Sequence, residues 1–214
     1  MLNRITQIFN PDSEVSEAEK AACLKRVSCV IDTEQVGEFI GNGFEHIVFD
    51  YGDDEVAKVP RENQLIPRLQ GLARNLYGYS QLEGIDKYRL ETDFRSRGLG
   101  YVLIQKKLEG CRYLTEEDLQ DPELMEQLQE IIDYNERVLK PKKLSIKLFD
   151  PENNRQGRSD FFGGISLDEN RQLRITDFDL LDWRYLQFRN PASAYNCSNW
   201  ITMQDEALKK MGLI

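Results

Sequence analysis

The chain predicts an α+β fold: a small antiparallel β-sheet lobe with one packing helix, then a reduced, mainly helical lobe. Three observations carry this. Between Glu38 and Pro60 the residues EFIGNGFEHIVFDYGDDEVAKVP read as strands separated by short turns. A second strand pair, Tyr88–Phe94 and Tyr101–Lys107, folds around Arg97-Gly98-Leu99-Gly100. The back half then opens on PELMEQLQEIIDYNERVLK, the longest helical period in the chain. A boundary near Gly110 divides the two halves.

In chain order, Ser16-Glu17-Ala18-Glu19 forms a capping-box pattern ahead of a helix reaching about Val27. Gly41 and Gly43 bracket Asn42, so the backbone can bend there and approach a ligand closely. Val48 and Phe49 lie on the next strand, Gly52-Asp53-Asp54 makes a hairpin turn, and Val56-Ala57-Lys58-Val59 returns. Lys58 is a lone cation in an apolar strand. Pro67 predicts the start of a helix running to about Tyr79, with Leu69, Leu72, Ala73 and Leu76 as its apolar face. Its other face carries Arg68, Gln70, Arg74 and Asn75, and the helix contains no carboxylate.

From Pro122 the buried stripe is Leu124, Leu128, Ile131, Ile132 and Leu139, and Pro141 stops the helix. Leu144–Phe149 is a short strand candidate before a polar loop over Asp150–Arg158. Ile165–Asp168 and Leu173–Thr176 make a second hairpin leading directly into Asp177-Phe178-Asp179. A helix over about Thr202–Met211 closes the chain, with Trp183 and Trp200 expected as core anchors. His46, the single histidine, is expected in a solvated loop.

The 214 residues suffice for one sizeable core or two small lobes, with 40% hydrophobic and 30% charged residues as in a folded globular chain. A net charge of −9 argues against a nucleic-acid or anionic-membrane partner, while leaving room for a local basic pocket for a phosphorylated small molecule. No stretch approaches the roughly 18 apolar residues of a membrane helix, and MLNRITQIFNP lacks the apolar core of a signal peptide. Cys23, Cys29, Cys111 and Cys197 are scattered without a CxxC pair, which together with one histidine argues against zinc. Reduced thiols and a cytoplasmic location are the expectation.

The order of these pieces resembles the protein kinase-like superfamily. Gly41-x-Gly43-x-x-His46-x-Val48 resembles the glycine-rich loop, with His46 in place of the third glycine. Val56-Ala57-Lys58 resembles the strand whose lysine holds nucleotide phosphates. Tyr101–Glu109 is similar to the strand and hinge that contact adenine, and Asp177-Phe178-Asp179 to the magnesium-binding Asp-Phe-Gly. The resemblance covers roughly residues 38 to 182. It implies an N-terminal helical extension over 1–36, an N-lobe over 37–110 and a reduced C-lobe over 111–214.

Carried over residue by residue, the resemblance implies that ATP is contacted by Gly41, Asn42, Gly43, Val48, Lys58 and Gln105. Asp177 would hold Mg²⁺, and Asp160 with Lys58 would form the catalytic pair. Arg158-Ser159-Asp160 resembles the end of the His-Arg-Asp motif; a rival register puts the aspartate at Asp150. The magnesium asparagine of the family falls on Gly164, which has no side chain to ligate with. The helix after Lys58 lacks the glutamate that pairs with this lysine, leaving Glu62 and Glu83 as substitutes. Two functions therefore stand side by side: a phosphotransferase acting on a small-molecule or protein hydroxyl, and a pseudokinase serving as a binding or scaffold module. An α+β domain without a nucleotide site is a third.

Overall fold

The computed structural model describes residues 15–42, 46–115, 117–148, 164–176, 178, 180–182 and 191–214. It is an α+β protein built on a five-stranded antiparallel sheet and several helices. The chain forms two compact units, Met1–Leu76 with Leu90–Arg112, and Tyr77–Arg89 with Tyr113–Ile214.

The first unit begins with α1 (Glu17–Val27), capped by Ser16, whose side chain accepts from the Glu19 amide at 3.2 Å. Strands β1 (Val36–Asn42), β2 (His46–Tyr51), β3 (Glu55–Pro60), β4 (Thr92–Arg97) and β5 (Gly100–Lys106) form the sheet in the order β1-β2-β3-β5-β4. Gly52 and Gly98 take φ of 59° and 57° at the β2–β3 and β4–β5 turns, the conformation for which glycine is the default. Alternation along the strands sends Ile47, Phe49, Ala57, Val59, Val102 and Ile104 to one face. There they form a core with Val15, Cys23, Val27 and Ile31. Each of the valine, isoleucine and phenylalanine side chains contributes about 1.5–3 kcal/mol by leaving water. The α1 segment, set apart as an extension in sequence, shares this core. Arg26 ties it to the end of β3 by donating Nη2 to the carbonyls of Pro60 and Arg61.

Helix α2 (Leu65–Gln81) brings a correction. Leu69 and Leu76, placed on its buried face by periodicity, are each 43% exposed, while Arg68 and Asn75 are buried. Gly71 is the reason. A Cβ there would stand 3.1 Å from the Tyr101 hydroxyl, so the glycine lets the helix lie close to β5 with its polar stripe turned inward.

In the second unit, α3 (Pro122–Tyr134) is capped by Asp121 and continues through a π-helical turn, Asn135–Leu139. Its stripe Leu124, Leu128, Ile131, Ile132 and Leu139 is buried, as the periodicity predicts. After the two-residue β6 (Arg112–Tyr113), the strands are short: β7 (Leu144–Ser145), β8 (Ile165–Leu167), β9 (Leu173–Ile175) and β10 (Leu181–Asp182). Of the expected strand over Leu144–Phe149, the described residues form strand only at Leu144–Ser145, because the amide and carbonyl of Ile146 and the amide of Leu148 bond to side chains instead. β8 and β9 form the predicted hairpin, and β7 pairs antiparallel with β10. Helix α4 (Pro191–Lys210) starts well before the expected Thr202. Trp183 and the side chain of Trp200 lie outside the described residues. Among the described residues no helix is long and apolar enough to cross a membrane. Cys23, Cys29 and Cys111 form no disulfide among the described residues.

Candidate functional site

The strongest arrangement in the first unit is a single rung across the sheet. Gly41 pairs with Val48, Val48 with Lys58, Lys58 with Leu103, and Leu103 with Phe94. Residues directly opposite in antiparallel strands send their side chains to one face. Gly41, Val48 and Lys58, read in the sequence as ligand contacts, thus share the face opposite the α1 core. The pairing of Gly41 with Val48 depends on a bulge. Phe39 pairs with Phe49, yet two residues later Gly41 pairs with Val48, so β1 carries one extra residue at this point. Asn42 pairs with Ile47, and Gly43 lies outside the described residues.

Two residues along from the rung, Gln105 faces the same side, paired with Val56 and Thr92. It is buried, and its Nε2 donates to Thr92 Oγ1 at 2.9 Å, which in turn donates to the Leu90 carbonyl at 3.0 Å. That amide nitrogen is committed to the protein itself. In the other direction lie Tyr101 and His46, their rings edge to face at 6.2 Å and Tyr101 Oη 3.5 Å from His46 Nε2. His46 is therefore a half-buried strand residue rather than a solvated loop residue. Glu62, one candidate partner for Lys58, is exposed and accepts from the Gln64 amide at 2.8 Å.

In the second unit the β8–β9 hairpin is tied by Asp168. Its Oδ1 accepts from the amides of Asn170 and Gln172, and its Oδ2 accepts from Arg174 Nε at 2.9 Å. Arg174 is thereby engaged within the hairpin. The chain after β9 is anchored at Phe178, which is buried and edge to face with Tyr79 at 4.9 Å. A Cβ on Gly78 would stand 1.9 Å from the Phe178 carbonyl, so only glycine admits this contact. Beyond it β10 pairs with β7. Asp177 and Asp179 lie outside the described residues, as do Asp150 and Asp160.

The described chain breaks off after Leu148 and resumes at Gly164, where a Cβ would stand 1.9 Å from the Lys147 carbonyl. The close approach explains the glycine at the position where the family resemblance expects a metal-ligating asparagine. Two buried side chains hold the backbone of Ile146–Leu148. Asn135 Oδ1 accepts from the Ile146 amide at 2.8 Å, and Gln204 Oε1 accepts from the Leu148 amide at 2.9 Å. Gln204 Nε2 donates back to the Ile146 carbonyl at 3.2 Å. These contacts replace the ladder bonds a longer strand would have made.

Sequence reasoning passed over Gly78, Asn135 and Gln204. Gly71 and Gly78, seven residues apart in a helix where glycine costs about 1 kcal/mol, were the available signal for the α2 contacts. No comparable signal marks Asn135 or Gln204, whose partners are remote in sequence. Comparison with protein-family models and with curated proteins finds no match to this chain.

Proposed function

We propose that this protein is an ATP- and Mg²⁺-dependent phosphotransferase of kinase-like type. The observation that carries the reading is the Gly41–Val48–Lys58 rung, a glycine, an apolar residue and a lysine side by side on one sheet face. In this reading the backbone of Gly41, Asn42 and Gly43 covers the phosphates, because little side chain stands in the way. Lys58 supplies a point charge beside them, and Val48 and Gln105 line the base. Asp177 holds Mg²⁺, whose preference is for carboxylate and phosphate oxygens. Asp160 orients the acceptor hydroxyl, with Asp150 as its rival. Positioning and charge neutralisation supply most of the catalysis in phosphoryl transfer, so these parts suffice in kind.

A second reading, a nucleotide-binding module without turnover, is favoured by two observations. Helix α2 carries no carboxylate to pair with Lys58. The tight approach at Gly164 denies any side chain at the position of the magnesium asparagine.

Thermal unfolding with ATP, with and without Mg²⁺, tests what both readings share. Mg-ATP is expected to raise Tm, and Lys58→Ala and Asp177→Asn are each expected to abolish the rise. An unmoved Tm at saturating nucleotide rejects both readings. Phosphate release or transfer from ATP then separates them: loss of turnover in Asp160→Ala or Asp150→Ala identifies an enzyme and its aspartate. Binding without turnover in the wild-type chain identifies the module.

A further inference from the structure

We propose that two copies of this chain pair through the outward face of α2, helix against antiparallel helix, about a two-fold axis near Ala73. The observation behind it is that α2 is turned inside out. Its inward stripe holds Arg68, Gly71, Asn75 and Gly78, while Leu65, Ile66, Leu69, Ala73 and Leu76 are exposed, Ile66 to 67%. Single exposed leucines are ordinary, but a contiguous apolar stripe of a few hundred Å² falls in the size range that is often functional.

The spacing says what kind of surface covers the stripe. Ile66, Leu69, Ala73 and Leu76 are separated by three, four and three residues, the alternation of a seam that packs against another helix. Flanking positions of such a seam choose the partner by charge. Here Leu65, Gln70 and Leu72 fill them, so nothing selects a differently charged helix and nothing repels an identical one. The chain carries 37 aspartates and glutamates and a net charge of −9, yet none of these carboxylates lies from Asn63 to Leu82. Two copies therefore meet on this face without setting carboxylate against carboxylate. Ala73, the one small side chain of the seam, stands at the midpoint of Leu65–Gln81, so two helices crossing there approach most closely at their centres. An axis through that point makes the contact self-complementary and closed at two copies. Antiparallel pairing also sets the positive N-terminal end of each helix beside the negative C-terminal end of its mate. One helix pair lies at or below the low end of specific interface sizes, roughly 1,200 Å², so the dimer is reversible rather than obligate.

The inference goes beyond the nucleotide reading and holds whatever Lys58 binds. The test is sedimentation equilibrium of the full chain over a range of concentrations. The mass of the wild type is expected to rise from one copy, 25.0 kDa, toward two. Ala73→Glu and Ala73→Lys each place like charges across the axis and are expected to weaken the dimer at least about tenfold. Mixed in equal amounts, the two variants are expected to pair with each other, which a folding defect would not produce. Leu69→Ser is expected to weaken the dimer in the same sense, and serves as the readout should either charged variant fail to fold. Leu99→Ser, at an exposed leucine in the β4–β5 turn, is expected to leave the dimer unchanged. A wild type that keeps the mass of one copy at every concentration, or grows past two, overturns the proposal. So does either charged variant assembling as the wild type does, a mixture of the two that stays at the mass of one copy, or Leu99→Ser dissociating the dimer as strongly as Ala73→Glu. The nucleotide reading fails separately, through an absent Mg-ATP response in the wild type.

Discussion

The two units brace their backbones by different means. In the first, strand alternation and register align Gly41, Val48 and Lys58, and each rests on ladder hydrogen bonds shared with its neighbours. In the second, strands of two or three residues carry little of the load. Position is held instead by glycines pressed against carbonyls, at Gly78 and Gly164, and by buried amide side chains capping backbone groups, at Asn135 and Gln204. A ladder spreads a local error over many bonds. A single close contact or buried amide has no substitute, so the second unit is expected to be the more sensitive to single changes at its supports.

The sharpest test of that difference is Gly78→Ala. A new methyl 1.9 Å from the Phe178 carbonyl forces backbone to move, and a loss of about 3 kcal/mol in denaturant unfolding is expected. Gly52→Ala in the β2–β3 turn, with open space around the new methyl but a φ of 59°, is expected to cost about 1 kcal/mol. Equal costs at the two sites would remove the distinction. Next in size, Gln204→Ala strands the Leu148 amide and the Ile146 carbonyl, and should cost about 2 kcal/mol in the same assay.

The pH profile offers a third probe of the second unit. Burial of Tyr88, reinforced by its hydrogen bond to Glu130, pushes its phenol up to about 12. The folded state then holds the Tyr88 proton more tightly than the unfolded state. Its contribution is present in full below pH 10 and is lost as the pH rises from there through about 12. Chemical denaturation across this window should show a fall that Tyr88→Phe reduces by an amount on the order of 2 kcal/mol. An unchanged slope in the variant would remove Tyr88 from the account. The smallest effect belongs to the first unit: Leu69→Ser and Leu76→Ser on the outer face of α2 should each alter stability by no more than about 0.5 kcal/mol. A loss of several times that would show these leucines to be core residues after all.

That last case shows where sequence was a sufficient guide and where it was not. Strands β2, β3 and β5 were legible as short apolar runs bounded by turns that carry glycine. The α3 stripe was legible because its apolar residues do face inward. In α2 the same period gave the correct stripe and the wrong side, because hydrophobicity alone does not register how closely Gly71 admits Tyr101. In the candidate site, Lys58 stood out as a cation among apolar neighbours, and its pairing with Val48 follows from local hairpin geometry; Gly41 reaches the same rung only through a bulge that the sequence does not announce. Asn135 and Gln204 did not stand out: polar residues on helices ordinarily face water, and their backbone partners are reached only through the tertiary fold.

The bulged β1 has a consequence for how the molecule behaves among copies of itself. β1 and β4 are the two edges of the five-stranded sheet, and an open edge is a template on which another chain can add a strand. Irregular register at two points along β1 breaks the even spacing of donors and acceptors such an addition needs. β4 meets the same hazard with charge, placing Asp93, Arg95 and Arg97 along its length. The irregularity that brings Gly41 opposite Val48 thus also guards the sheet against edge-to-edge polymerisation.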